Sequence, residues 1–379
     1  MRGEFARAIA LAIALAAGCS GDDDRFDAGP FDAGPGDAGP FDADANDSGS
    51  GPVYLPRAPR VLSVDLPGND EDPAVLLARD GSIYVAWFSE SAGNDILISR
   101  TTDGAEWTAP MHVTTGAATD FGPSLTQDAA GYIHAVWFRW AGATPPGRIV
   151  HNRSIAPDDG LAWDARGEVD VTHASGTDDW VPSLTADVTG TLVVAFARNT
   201  CASPTCYGIA IATSVGGDAW TDPAIVAVPA GSGVEHHLPA IANVDGVLRL
   251  AWTAFDDTAA APWDGLTTGA HIELFTSSSG ATWTDRREVT ARDPAAVSLF
   301  PTLYADHSGA WHVAWLAADA AGQSAVEVPI DALGATPSTL PISGYSPRII
   351  ATPTPGVYLA ASVEGTATNR EIMVSVFAR

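Results

Sequence analysis

The 379-residue chain contains no lysine, and all 19 of its basic residues are arginine. Schiff-base lysines, phosphate-loop lysines and Ser-Lys catalytic pairs are thereby excluded. Positive charge is scarce altogether, since 46 Asp and Glu bring the formal net charge to −27. That balance excludes nucleic acid as a partner, because binding it needs a basic surface to displace counterions. Cysteine is nearly missing too, with three in the chain. Helical periodicity is absent. The apolar stretch Ala8–Ala17 is about half of the roughly 20 residues that span a bilayer.

That stretch belongs to residues 1–19, which have the layout of a secretory signal. Arg2 and Arg7 flank the start, an Ala/Leu/Ile run follows, and small residues stand at Ala17-Gly18. Leu15-Ala16-Ala17-Gly18-Cys19 resembles a bacterial lipoprotein box, with the leucine one place further from the cysteine than usual. The resemblance implies lipid attachment at Cys19. Ser20 after it implies no retention at the inner membrane, so the expectation is an exported protein, lipid-anchored to the cell envelope at the outer membrane. Residues 20–52 read as a tether. FDAGP recurs at Phe26–Pro30 and Phe31–Pro35, and nine Asp stand against one Arg. Such a segment cannot bury a core and is expected to be disordered, averaging about 30 Å end to end.

Residues 53–379 are organised by repetition. Six segments share a proline, a short alternating stretch, a Gly-containing turn and an apolar strand; their prolines are Pro73, Pro123, Pro182, Pro239, Pro301 and Pro347. An aromatic follows each of the first five at Trp87, Trp137, Phe196, Trp252 and Trp315, with Ala361 in the sixth. Four later turns share Gly-x-x-Trp, ending at Trp107, Trp163, Trp220 and Trp283, with alternating strands on both sides. Each unit therefore contains four short strands, A to D. Six such units predict an all-β fold: a six-bladed β-propeller of four-stranded antiparallel blades. The sixth unit lacks a strand, which Arg60–Leu66 would supply, joining the ends of the ring and covering a sheet edge.

The Trp-ending turns resemble a degenerate Asp-box, S/T-x-D-x-G-x-x-W, of the sialidase-like six-bladed propellers. Val215 and Ser278 stand where the Asp belongs, and Asp103 lies one place off. The resemblance implies a sialidase-like fold in which these boxes are structural turns remote from the active face.

Antiparallel strands place the A–B and C–D turns on the back face, and the B–C loops and D-to-A crossings on the front. The front candidates before the prolines are Asp120, Asp178, Asp179, Trp180, Glu235, His236 and Tyr345; the B–C loops add Trp140 and Trp263. Trp140, Trp180 and Trp263 have no role in the repeat, and aromatic rings beside carboxylates stack on sugar faces. The chain is therefore expected to bind a glycan on its front face without catalysis, as a monomer. A metal or other cofactor is not expected, because His236 and His237 point to opposite sides of an extended segment and no loop has EF-hand spacing. Cys201 and Cys206, in an exported context, are expected to form a disulfide. SGYSPRII at Ser343–Ile350 resembles the sialidase segment that bears the nucleophilic tyrosine, which implies a second reading, an exo-glycosidase acting through Tyr345. The first unit departs from that family, with Glu71-Asp72-Pro73 in place of Arg-Ile-Pro. A third reading is a scaffold for a surface protein.

Overall fold

The computed structural model describes residues 52–379, apart from 64–67, 141–146, 164–166, 173–176, 201–205, 228–234, 245, 256–268, 281, 294–295, 320–321 and 367–368. Cys19, Cys201, Trp263 and the tether lie outside the described residues. Six antiparallel sheets follow one another in chain order. Blade I holds Asp70–Leu77, Ile83–Ser89, Asp95–Thr101 and Met111–His112. Strand A of blades II to V begins at Thr119, Asp179, Glu235 and Val297 respectively. Blade VI runs Tyr345–Ala351, Val357–Thr366 and Asn369–Ala378, and is completed by Arg57–Val61 from the start of the described chain. The closing strand is thus the expected one, set a few residues earlier. Its backbone register continues through Leu62, whose N–H donates to the Ile372 carbonyl at 2.7 Å.

The strand-B aromatics explain why blades stack. Trp87, Trp137, Phe196 and Trp252 are fully buried, and each lies in a core cluster shared by two successive blades. A ring that removes 150–250 Å² from water contributes up to roughly 4–6 kcal/mol before entropy is subtracted. Blade II departs from the expected box turn. Asp159–Trp163 pairs back onto strand C, because Pro157 and Asp158 (φ 57°) form a tight reversal there. Elsewhere the Gly-x-x-Trp turns close as turns: the hydroxyls of Thr101, Ser214 and Ser277 accept the N–H groups of Gly104, Gly217 and Gly280 at 2.9–3.0 Å.

The six prolines mark one repeated backbone device. In every blade the strand A–strand B register shifts around the proline, and the preceding residue has positive φ. Those residues are Asp72, Gly122, Val181, Leu238, Phe300 and Ser346, with φ between 39° and 55°. A non-glycine residue there costs about 1–2 kcal/mol, so the five bulges other than the one at Gly122 are strain held by the ring. Their effect is to re-aim the side chains before each proline towards the axis and the blade seams.

Candidate functional site

The front mouth is built from the residues two places before the prolines: Glu71, Phe121, Trp180, His237, Leu299 and Tyr345. Phe121 packs on Phe88 of blade I with centroids 4.6 Å apart, and Trp180 stacks on Phe138 of blade II at 4.4 Å and 18°. Both rings remain half-buried. Tyr207 and His237 continue the aromatic layer on the next seam at 4.6 Å. On the axis, Val181, Leu238 and Phe300 meet Leu299, Leu316 and Tyr345 in an apolar cluster drawn from several blades.

Between blades VI and I the mouth turns acidic. Arg370 ion-pairs Glu71, and Asn69 donates to Glu90 at 2.9 Å beside them. Burial, together with the charge of Asp72, pushes Glu71 up to about 7, and Arg370 only partly offsets this. Burial likewise raises Asp70 to about 6, against weaker stabilisation from Ser89, Ser63 and Trp87. Asp72 is raised by burial against the pull of Arg348 and Arg370. Tyr345 is also pushed up by burial, then by the Glu71 charge, and its hydroxyl is sealed from solvent with no hydrogen-bond partner among the described residues. This gathering of shifted groups is what makes the mouth the candidate site.

The structure spends several expected ligand groups internally. Asp120 and Asp179 lie beneath the mouth, bound by Arg139 and Arg198 on the facing strand. Asp178 accepts the Gly147 N–H and the Tyr207 hydroxyl, each at 3.0 Å. Glu235 contacts His237 Nε2 at 3.1 Å. His236 is buried against Trp252, and burial lowers it to about 4, so it is neutral at pH 7. All five are thus engaged within the protein, and four of them, Asp120, Asp179, Glu235 and His236, are buried beneath the mouth. Trp140, Trp180 and Tyr345 reach the rim or mouth and stay half-buried. Among the described residues, Arg370 is the arginine whose charge acts on the Tyr345 hydroxyl, and it is engaged by Glu71.

Glu71, Asp72, Arg348, Arg370 and Phe121 were not among the expected binding residues. The acidic run before Pro73 was the legible signal for the first two; nothing in the sequence assigned a role to Arg370. Among the described residues, His271, Glu273 and Glu288 come within metal-ligand distance of one another. Arg286 and Arg292 already neutralise that group, Arg286 through Nη2 to both Glu273 oxygens at 2.7 Å and Nε to one of them at 3.1 Å. A cation there would face two guanidinium groups.

No protein-family model matches the chain, and no curated protein matches its sequence. Solved structures do. A protein of unknown function from Dyadobacter fermentans superposes with a TM-score of 0.65 at 14% identity, covering 86% of this chain and 99% of that one. An α-L-arabinanase from Penicillium chrysogenum, complexed with arabinobiose, gives 0.61 at 14% identity over 83% and 94%. A Hadza microbial sialidase gives 0.58 at 15% identity over 82% and 66%. The likeness is one of fold. The chain is a six-bladed propeller with the architecture of sialidase and arabinanase propellers.

Proposed function

We propose that the protein is an exported, envelope-anchored propeller that binds a glycan at its front mouth without cleaving it. In this reading residues 1–19 are a lipoprotein signal attached through Cys19, 20–52 a spacer, and 53–379 the binding domain. The observation that carries it is the pair of half-buried rings, Phe121 and Trp180, stacked on neighbouring blades beside the Glu71–Arg370–Tyr345 group. Such a surface offers a flat apolar face for pyranose C–H groups and polar atoms for hydroxyls. The acidic side of the mouth, with Arg370 already paired, favours neutral over acidic sugars. Fold neighbours that act on glycans lend support by analogy only. A Cys201–Cys206 disulfide belongs to the same proposal. Thr200 donates its N–H to the Cys206 carbonyl at 2.9 Å, which draws the loop ends together.

The test is a glycan microarray probed with the full-length protein. Trp180→Ala and Trp140→Ala are each expected to weaken retained binding about tenfold, the worth of one aromatic stack, while the Tm shows that the fold persists. Absence of any retained glycan would reject the reading. The glycosidase alternative draws on Tyr345 lying beside Glu71. Its raised, sealed hydroxyl is a poor nucleophile in this conformation. Turnover of a fluorogenic glycoside that disappears in Tyr345→Phe would establish that alternative.

A further inference from the structure

Beneath the bulges the six inner strands wall a cavity of about 150 Å³ on the propeller axis. Its lining is proline, aliphatic and small hydroxylic side chains from all six blades, and Arg348 is the one charged residue among the described lining. Arg348 occupies the place directly after the proline, where the other blades carry Ala74, Ser124, Ser183, Ala240 and Thr302. Its guanidinium reaches only the carbonyls of Pro301 and Pro347, at 3.4 and 3.3 Å, both long for an N–H···O bond. Asp72 is close enough to act on its charge, but the two form no ion pair among the described contacts.

The neighbouring hydroxyls are disposed in one sense. Ser124 Oγ accepts the Leu184 N–H at 2.9 Å, and Ser183 Oγ accepts the Ile241 N–H at 3.0 Å, stitching adjacent blades. A hydroxyl that accepts in this way keeps its own O–H to donate. Thr302 adds a third hydroxyl to the lining. The described lining thus combines three hydroxyls with one guanidinium and includes no carboxylate. Arg348 is half-buried and forms no ion pair among the described contacts; a partly desolvated charge without a close partner is costly, and a counterion offsets that cost.

We propose that the axial cavity is a binding site for one small monovalent anion of halide size, held by Arg348 with the Ser124, Ser183 and Thr302 hydroxyls. One guanidinium sets the valence. The site is distinct from the glycan mouth, since its lining includes none of Glu71, Phe121, Trp180, Tyr345 and Arg370.

The experiment is thermal unfolding of the full-length protein in sodium bromide against sodium gluconate at constant ionic strength. Bromide is expected to raise Tm saturably, as a ligand of the native state does, while bulky gluconate does not. Arg348→Met abolishes the difference. Thr302→Val shifts the bromide midpoint upward severalfold, and it carries the test should Arg348→Met fail to fold. Anomalous scattering from bromide-soaked crystals should place the ion on the axis. Equal Tm in both salts, or a bromide response unchanged in the variant that folds, would overturn the assignment.

Discussion

Asp120 and Arg139 face each other across adjacent strands of blade II in a two-pronged ion pair, Nε to Oδ1 at 2.6 Å and Nη2 to Oδ2 at 2.7 Å. The aspartate is 1% exposed, and Glu168 takes further guanidinium donors. Blade III repeats the arrangement with Asp179 and Arg198 at 2.7 and 2.9 Å. Both pairs lie where strand A approaches the mouth, so they hold the walls on which Phe121 and Trp180 sit.

Breaking one of these pairs tests that role. Asp120→Ala removes the buried carboxylate that holds Arg139 in two places and leaves the guanidinium to Glu168, and it is expected to destabilise the protein by about 3 kcal/mol. Urea unfolding measures this, and glycan affinity of the folded fraction should stay within twofold of wild type. Lost affinity at unchanged stability would instead put Asp120 on the ligand.

The pH dependence has two opposed contributions. Glu71, raised from 4.5 to about 7, contributes stability that is fully present below pH 4.5 and lost as pH rises through 7. Asp70, raised to about 6, has the same sign over a lower window. Buried His151 and His236 are lowered by burial to about 3 and about 4. They act oppositely, since stability falls as pH drops below 6.5 and the unfolded imidazoles protonate first. Glu273 adds an acid limb: burial opposes its ionisation, yet hydrogen bonds from His271 and Arg286 bring it to about 2. The stability maximum is therefore expected at about pH 6.5. In Glu71→Gln the gain relative to wild type should grow between pH 4.5 and 7 and level off above. A gap that does not vary with pH would contradict the buried, proton-holding state of Glu71.

Ring closure makes a third prediction. Arg57–Val61 covers the outer edge of Asn369–Ala378, and Ile372 donates its N–H to Ser63 Oγ at 3.0 Å. At the V–VI seam Arg379 pairs with buried Glu327 and donates to the Tyr304 hydroxyl at 2.9 Å. Deleting residues 53–63 should expose an unpaired edge and produce higher oligomers in size-exclusion chromatography. Arg379→Ala should lower Tm without changing the elution volume, because it loosens a seam without uncovering an edge. Identical behaviour of the two variants would show that strand pairing is not what keeps the ring closed.

Much of the fold was legible because it repeats. Proline spacing, strand-B aromatics and Gly-x-x-Trp turns each recur, and an alternating pattern names the buried face whatever the blade. The site was less legible. Asp120 and Asp179 read as surface acids until the register set them opposite Arg139 and Arg198. The acidic run before Pro73 read as a departure from a sialidase motif. Ring closure brought it against Tyr345 and Arg370, which follow some 270–300 residues later.

The sequence by itself determined six antiparallel blades, the closing strand, the two faces and the lack of lysine chemistry, since each follows from local period, turn residues or composition. Only the tertiary structure decided which polar groups remain available to a ligand and which are consumed by neighbours. A bulge at each proline rotates side chains by a backbone conformation that composition does not encode, and the seams between blades join residues hundreds of positions apart.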